Sequence, residues 1–238
     1  MIYFILGIVI FLLVLYMLQQ HCNSVQYEVF TPKSFTKTVL IIASIHGSEP
    51  AGSLASARIL PYLSDSSSFD KLKQRVVLIT CANPCGMKMG WRHNPYYVLK
   101  GQLTKGDMNR QYGEGGHTQI NQQILSLIHR FQPSLIVDLH EAWGYFQLEE
   151  GSMGNGIYPV GNDAYRISTK LQQQLNQQIK KKEHTYVVHD WQPVPEGSLR
   201  ELAKQRDWNY ILIETSAEQK LQQRIHQHFT CLYSILFE

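Results

Sequence analysis

His46 and Glu49 stand three residues apart just past the apolar run Val39-Leu40-Ile41-Ile42, and His140 and Glu214 each close another such run, residues 134–139 and 209–213. Two imidazoles and one carboxylate, His46, Glu49 and His140, fill three positions of a tetrahedral zinc and leave the fourth for water, as a catalytic site requires. One Zn2+ there lowers the pKa of its bound water toward ~7 and polarises a carbonyl. A further carboxylate, Glu214, then serves as the base that takes the water's proton and returns it to a leaving amine. H-x-x-E alone is a weak pattern. Its weight comes from the other strand ends that deliver matching groups.

Those ends must share an edge. Uninterrupted β-branched and aliphatic runs mark buried strands, at residues 39–42, 75–82, 134–139 and 209–213. Helical periods intervene at 50–63, 119–131, 163–182 and 198–206, and a closing helix spans 217–236. Strands alternating with helices predict an α/β fold, a mixed, largely parallel twisted sheet with helices on both faces. In such sheets sites form beyond the carboxyl ends of the strands. Glu141, next to His140, should face away from the site by strand alternation.

Residues 83–117 predict a long functional loop, rich in Gly, Asn, Tyr and Arg. It offers Arg92, Asp107, Asn109 and Arg110. An arginine beside a metal can stabilise the oxyanion of a tetrahedral intermediate. A second arginine with an asparagine can grip a carboxylate in a fork, and an aspartate can fix the tautomer of a ligating histidine through its outer N–H.

The chain has 238 residues, enough for one full α/β domain, and a net charge of +3 with no concentrated basic face, so nucleic acid is not an expected partner. Residues 2–18 form seventeen positions without charge, Pro, Asn or Gln. As a helix they reach about 25 Å, the short limit for a bilayer. No Lys or Arg precedes them and no A-x-A site follows, which favours an uncleaved anchor over a cleaved signal peptide and secretion. The expected organisation is an anchor at 1–18, a polar tether at 19–37 and a catalytic domain at 38–238. The side of the membrane is left open. Four cysteines, Cys22, Cys81, Cys85 and Cys231, are too few for a disulfide scaffold.

Taken together, the motifs resemble those of the zinc metallocarboxypeptidase family (carboxypeptidase A type) and its succinylglutamate desuccinylase/aspartoacylase relatives. HGSE is similar to the family's H-x-x-E, NPCG to its N-P-x-G, GDMNR to its D-x-N-R, DLHE to the segment of its third zinc ligand and IETS to that of its catalytic Glu. The resemblance implies zinc on His46, Glu49 and His140, Glu214 as general base and Arg92 polarising the scissile carbonyl. It further implies Asn109 and Arg110 on the substrate carboxylate, and Asp107 behind His46. Gly197-Ser198 resembles the peptidase pocket loop, which puts Ser198, Leu199 and Gln192 at the substrate. Gln192 stands where the peptidases usually carry a Tyr.

The resulting expectation is a membrane-tethered zinc hydrolase acting on a peptide or acyl-amino-acid substrate with a free carboxylate, foremost a carboxypeptidase. An N-acyl amino acid deacylase is the alternative. An inactive binding protein on the same fold is disfavoured, because such chains lose a ligand or the base and none is lost here.

Overall fold

The computed structural model describes residues 2–113 and 117–238. Met1, at the head of the expected anchor, and Glu114, Gly115 and Gly116, inside the expected loop, lie outside the described residues. Helix α1 (Ile2–Cys22) leads into strands β1 (Glu28–Phe30), β2 (Lys37–Ala43), β3 (Gln74–Ile79), β4 (Leu135–Ala142), β5 (Gly156–Val160), β6 (Val187–Val188) and β7 (Tyr210–Ser216). The helices that follow α1 are α2 (Ala51–Ser64), α3 (Ser66–Phe69), α4 (Pro84–Met89), α5 (Pro95–Leu99) and α6 (Leu103–Gly106). After them come α7 (Gln119–Phe131), α8 (Asn162–Asn176), α9 (Leu199–Gln205) and α10 (Leu221–Phe237).

The strands form one sheet in the order β1-β3-β2-β4-β7-β5-β6. The centre is parallel, and β1 on β3 and β5 on β7 run antiparallel. Alternation along each strand divides the core in two. Val39, Ile41, Val137, Leu139, Ile211 and Ile213 meet the apolar faces of α2, α8 and α10. Leu40, Ile42, Ile136, Tyr210 and Leu212 meet α7 and α9 on the other side. The sheet is thus mixed, with helices on both faces.

Three segments differ from expectation. Residues 83–117 are not one structureless loop: they hold α4, α5, α6 and a 3-10 turn at Met108–Arg110. Asn83 and Asn94 each accept a backbone N–H, from Gly86 and Tyr96, with proline in the first turn of both short helices. Residues 19–37, expected as a tether, instead carry the end of α1, a buried stretch at Cys22-Asn23 and the edge strand β1. Strand β5 had no apolar run long enough to announce it. Helix α1 is apolar and exposed, with mean hydropathy 2.1 over Tyr3–Cys22.

Candidate functional site

Strand register sets the geometry. In the parallel pair β4 and β7, His140 lies directly opposite Glu214. Next to β4, β2 ends at Ala43, and the chain turns through Ser44 at φ 51° to bring His46 to the same edge. Ser44 Oγ donates to the Glu49 carbonyl at 2.8 Å, closing that turn. Gly47 permits the close approach of α4: a Cβ there would stand 2.0 Å from the Gly86 carbonyl carbon. The Gly47 N–H donates to the Arg92 carbonyl at 3.1 Å, which fastens the arginine-bearing segment to the histidine turn.

His46 Nδ1 lies 2.8 Å from Glu49 Oε1, and His140 Nδ1 lies 3.0 Å from Glu49 Oε2. These donor atoms fall within 4.8 Å of one another, and all three residues are buried. The outer nitrogens face carboxylates. His46 Nε2 donates to Asp107 Oδ1 at 3.1 Å, and His140 Nε2 is 3.1 Å from Asp138 Oδ1, close for charge though off the line of a hydrogen bond. A proton held on each Nε2 leaves both Nδ1 lone pairs aimed at one point. This donor chemistry fits a zinc ion.

The charges agree with that fit. Glu49, Asp107, Asp138 and Glu214 crowd two histidines and Arg92, which contacts Glu49 Oε1 and Asp107 Oδ2, both at 3.2 Å. Burial opposes ionisation of Glu49, yet the charges and hydrogen bonds of His46 and His140 hold its carboxyl well below the usual range. Burial also opposes charge on His140, but Asp138 and Glu49 raise it well above an ordinary histidine. Burial pushes Glu214 up to about 8, against the attraction of His140 and with Glu49 and Asp138 adding to the rise. Its Oε2 is buried without a hydrogen-bond partner. Four carboxylates around two imidazoles and one guanidinium suit a bound cation.

His46, Glu49, Arg92, His140 and Glu214 line a cavity of about 230 Å³, and Asn109, Arg110 and Ser198 line it as well. Asn109 Oδ1 accepts from the Leu199 N–H at 3.1 Å, and the Tyr112 N–H donates to the Gly197 carbonyl at 2.8 Å. Gly197, at φ +70°, allows this seam, since a Cβ would stand 2.4 Å from the Arg110 carbonyl oxygen. Arg110 and Pro195 also border a wider cleft of about 950 Å³.

Two residues expected at the substrate lie elsewhere. Gln192 is exposed, donates to Asp190 and does not line the cavity. Leu199, the first residue of α9, is fully buried in the core that α7 and α9 cover. Ser198 caps α9 by accepting the Glu201 N–H, so the first turn sends Leu199 inward and brings Arg200 to the cavity wall. Arg200 is 2% exposed, donates to Asp190 Oδ1 at 2.7 Å and to the Trp191 carbonyl at 2.9 Å, and keeps Nε unpaired. Sequence reasoning missed it. It also missed Asp138, although a charged residue two before His140 in a buried strand must share its face. Glu141 turns away as expected: its carboxylate accepts the Ala51 N–H at 2.7 Å and pairs with Arg224.

Residues 35–147 match the succinylglutamate desuccinylase/aspartoacylase catalytic domain family. Among curated proteins none matches the chain significantly. The cell shape determinant Csd4 from Helicobacter pylori is 18% identical with a TM-score of 0.70, over 89% of this chain and 54% of that one. One Csd4 structure is described as a D,L-carboxypeptidase bound to mDAP. Murein-tripeptide amidase MpaA from Escherichia coli O157 is 15% identical with a TM-score of 0.59, over 88% and 86%. The ectoine utilization protein EutE (DoeB) from Ruegeria pomeroyi is 13% identical with a TM-score of 0.57, over 89% and 61%. The chain therefore spans about half the length of Csd4.

Proposed function

From the premise that this chain has the zinc carboxypeptidase-like fold, with a desuccinylase/aspartoacylase match over residues 35–147, we propose a zinc-dependent hydrolase that cuts an amide bond next to a free carboxylate, foremost a membrane-held carboxypeptidase. One observation carries this reading: two Nδ1 atoms and a carboxylate converge in a cavity that also holds the unpaired Glu214 Oε2 and Arg110. His46, Glu49 and His140 would hold the zinc, which when bound supplies Lewis acidity and a readily ionised water.

The chain's own groups complete the reaction. Glu214 Oε2 takes a proton from the attacking water as its oxygen bonds to the carbonyl carbon. Arg92 faces the developing oxyanion. The C–N bond then breaks, and Glu214 delivers the proton to the leaving nitrogen, so the base returns to its starting state. Asn109 and Arg110 grip the substrate carboxylate, and Asp107 and Asp138 hold the two imidazoles in register. Residues 2–18 act as the anchor in this reading, which is supported by the exposed apolar surface of α1, and residues 38–238 carry the catalytic unit.

The family match supports a second reading, an N-acyl amino acid deacylase. The wider cleft beside Arg110 is lined by none of His46, Glu49, His140 and Glu214, so its volume does not bear on the choice. A panel of short peptides against N-acyl amino acids tests the choice. Faster turnover of the acyl compounds would favour the deacylase.

Two substitutions probe recognition. Arg110, exposed at the cavity mouth, keeps its charge as Lys but loses the fork, and a hydrogen bond to a charged group is worth about 1.5–3 kcal/mol. For Arg110→Lys, kcat/KM on free-acid peptides should fall about tenfold or more. Arg200→Met should reduce kcat/KM on peptides ending in an acidic residue about tenfold or more while sparing neutral ends, since its buried guanidinium would face an acidic side chain. Equal losses on both would make Arg200 a purely structural partner of Asp190.

A further inference from the structure

The end of α1 is fastened to the domain over very few residues. Cys22 is bonded to Cys85, with the two Cα atoms 5.3 Å apart. The Cys22 carbonyl accepts from Asn94 Nδ2 at 2.7 Å, the Asn23 carbonyl accepts from Gln123 Nε2 at 2.7 Å, and the Val25 N–H donates to Gln123 Oε1 at 2.9 Å. Cys22 is fully buried with Tyr96 and Tyr97. A flexible tether has no such contacts.

Cys85 sits in α4, which follows the carboxyl end of β3, and its neighbour Gly86 is packed against Gly47 beside His46. The helix is therefore joined to the very edge of the sheet that holds the candidate site. Near the join, Lys88, Met89, Trp91, Leu99 and Lys100 are exposed. Tryptophan and lysine flanking apolar side chains suit the headgroup layer at the end of a membrane helix. A lasting disulfide requires an oxidising compartment.

We propose that the Cys22–Cys85 bond clamps the site-bearing edge of the sheet to the bilayer surface on the oxidising side of the membrane, with Lys88, Met89, Trp91, Leu99 and Lys100 resting on the headgroups. This rests on the anchor role of α1 and fixes the substrates as peptides of that compartment within reach of the membrane. It also sets a limit on processing, because a cut that releases the apolar part of α1 must fall before Cys22, which stays bonded to Cys85.

Full-length protein in its membrane tests the clamp. After denaturation without reductant, a maleimide should add to two of the four cysteines, Cys81 and Cys231, and to all four after reduction. Four additions without reductant would overturn the proposal. With Cys81→Ala and Cys231→Ala in place, Ser67→Cys and Leu99→Cys provide single reporters. Ser67 lies in α3, before the start of β3 and so at the opposite edge of the sheet. An impermeant maleimide should label Ser67→Cys from the oxidising side of sealed vesicles, and labelling only from the other side would overturn the compartment. In nanodiscs containing nitroxide lipids, a fluorophore on Leu99→Cys should lose most of its emission and one on Ser67→Cys should keep it. Equal quenching would overturn the surface. None of these readouts uses turnover, so they fail separately from the hydrolase reading, and failure of the anchor itself would appear as protein in the soluble fraction.

Discussion

Glu214→Gln should lower kcat by about 10²–10⁴-fold while the variant still binds zinc. The amide keeps the size of the carboxylate but takes no proton from water at neutral pH. Its partner across the register, His140, stays in place, so metal content should match wild type. The same variant carries a stability signature. In metal-free protein, burial pushes Glu214 up from 4.5 to about 8. Between those values the folded chain keeps a proton that the unfolded chain has released, so stability falls as pH rises through that window. Glu214→Gln removes this contribution, and the metal-free variant should gain on metal-free wild type by about 5 °C or more in Tm as pH rises from 5 to 8. Calorimetry at both values checks the sign. A strand-end carboxylate with no special role would give near-wild-type turnover and no pH-dependent gap.

His140→Ala should abolish metal retention and reduce activity to background. It removes one of three donors, and with it the group that Asp138 holds from behind. Wild type at a zinc concentration about a hundredfold above Kd gains about 2.7 kcal/mol, which raises Tm by about 5–10 °C for a chain of this size. His140→Ala should show no such rise, whereas Glu214→Gln should show all of it. A full zinc-dependent rise in His140→Ala would mean that the ion sits elsewhere.

The groups gathered at the sheet edge were legible because strand-end geometry is carried by short patterns. His46 and Glu49 follow one buried run, His140 and Glu214 close two others, and a parallel sheet brings such ends together whatever lies between them. Asp107, Asn109 and Arg110 were legible as chemistry but not as structure, since α4, α5 and α6 are too short to show a helical period. The repeated Asn-Pro at 83–84 and 94–95 was the available signal. Gln192 and Leu199 misled because resemblance fixes a loop's position, while one helical step decides which side chain faces the cavity. Ser198 begins α9, and that step hides Leu199 and brings Arg200 to the wall. The bond between Cys22 and Cys85 could not be read from spacing, because it depends on where α1 ends relative to β3.

Matched peptides differing only in a free or amidated C-terminus test the central claim most directly, with zinc-loaded wild type and kcat/KM as the readout. The cavity that joins Glu214 to Arg110 predicts that the free acid is cleaved about tenfold faster or more, by the worth of the charge-assisted hydrogen bonds to its carboxylate. Equal rates on the two peptides would contradict it.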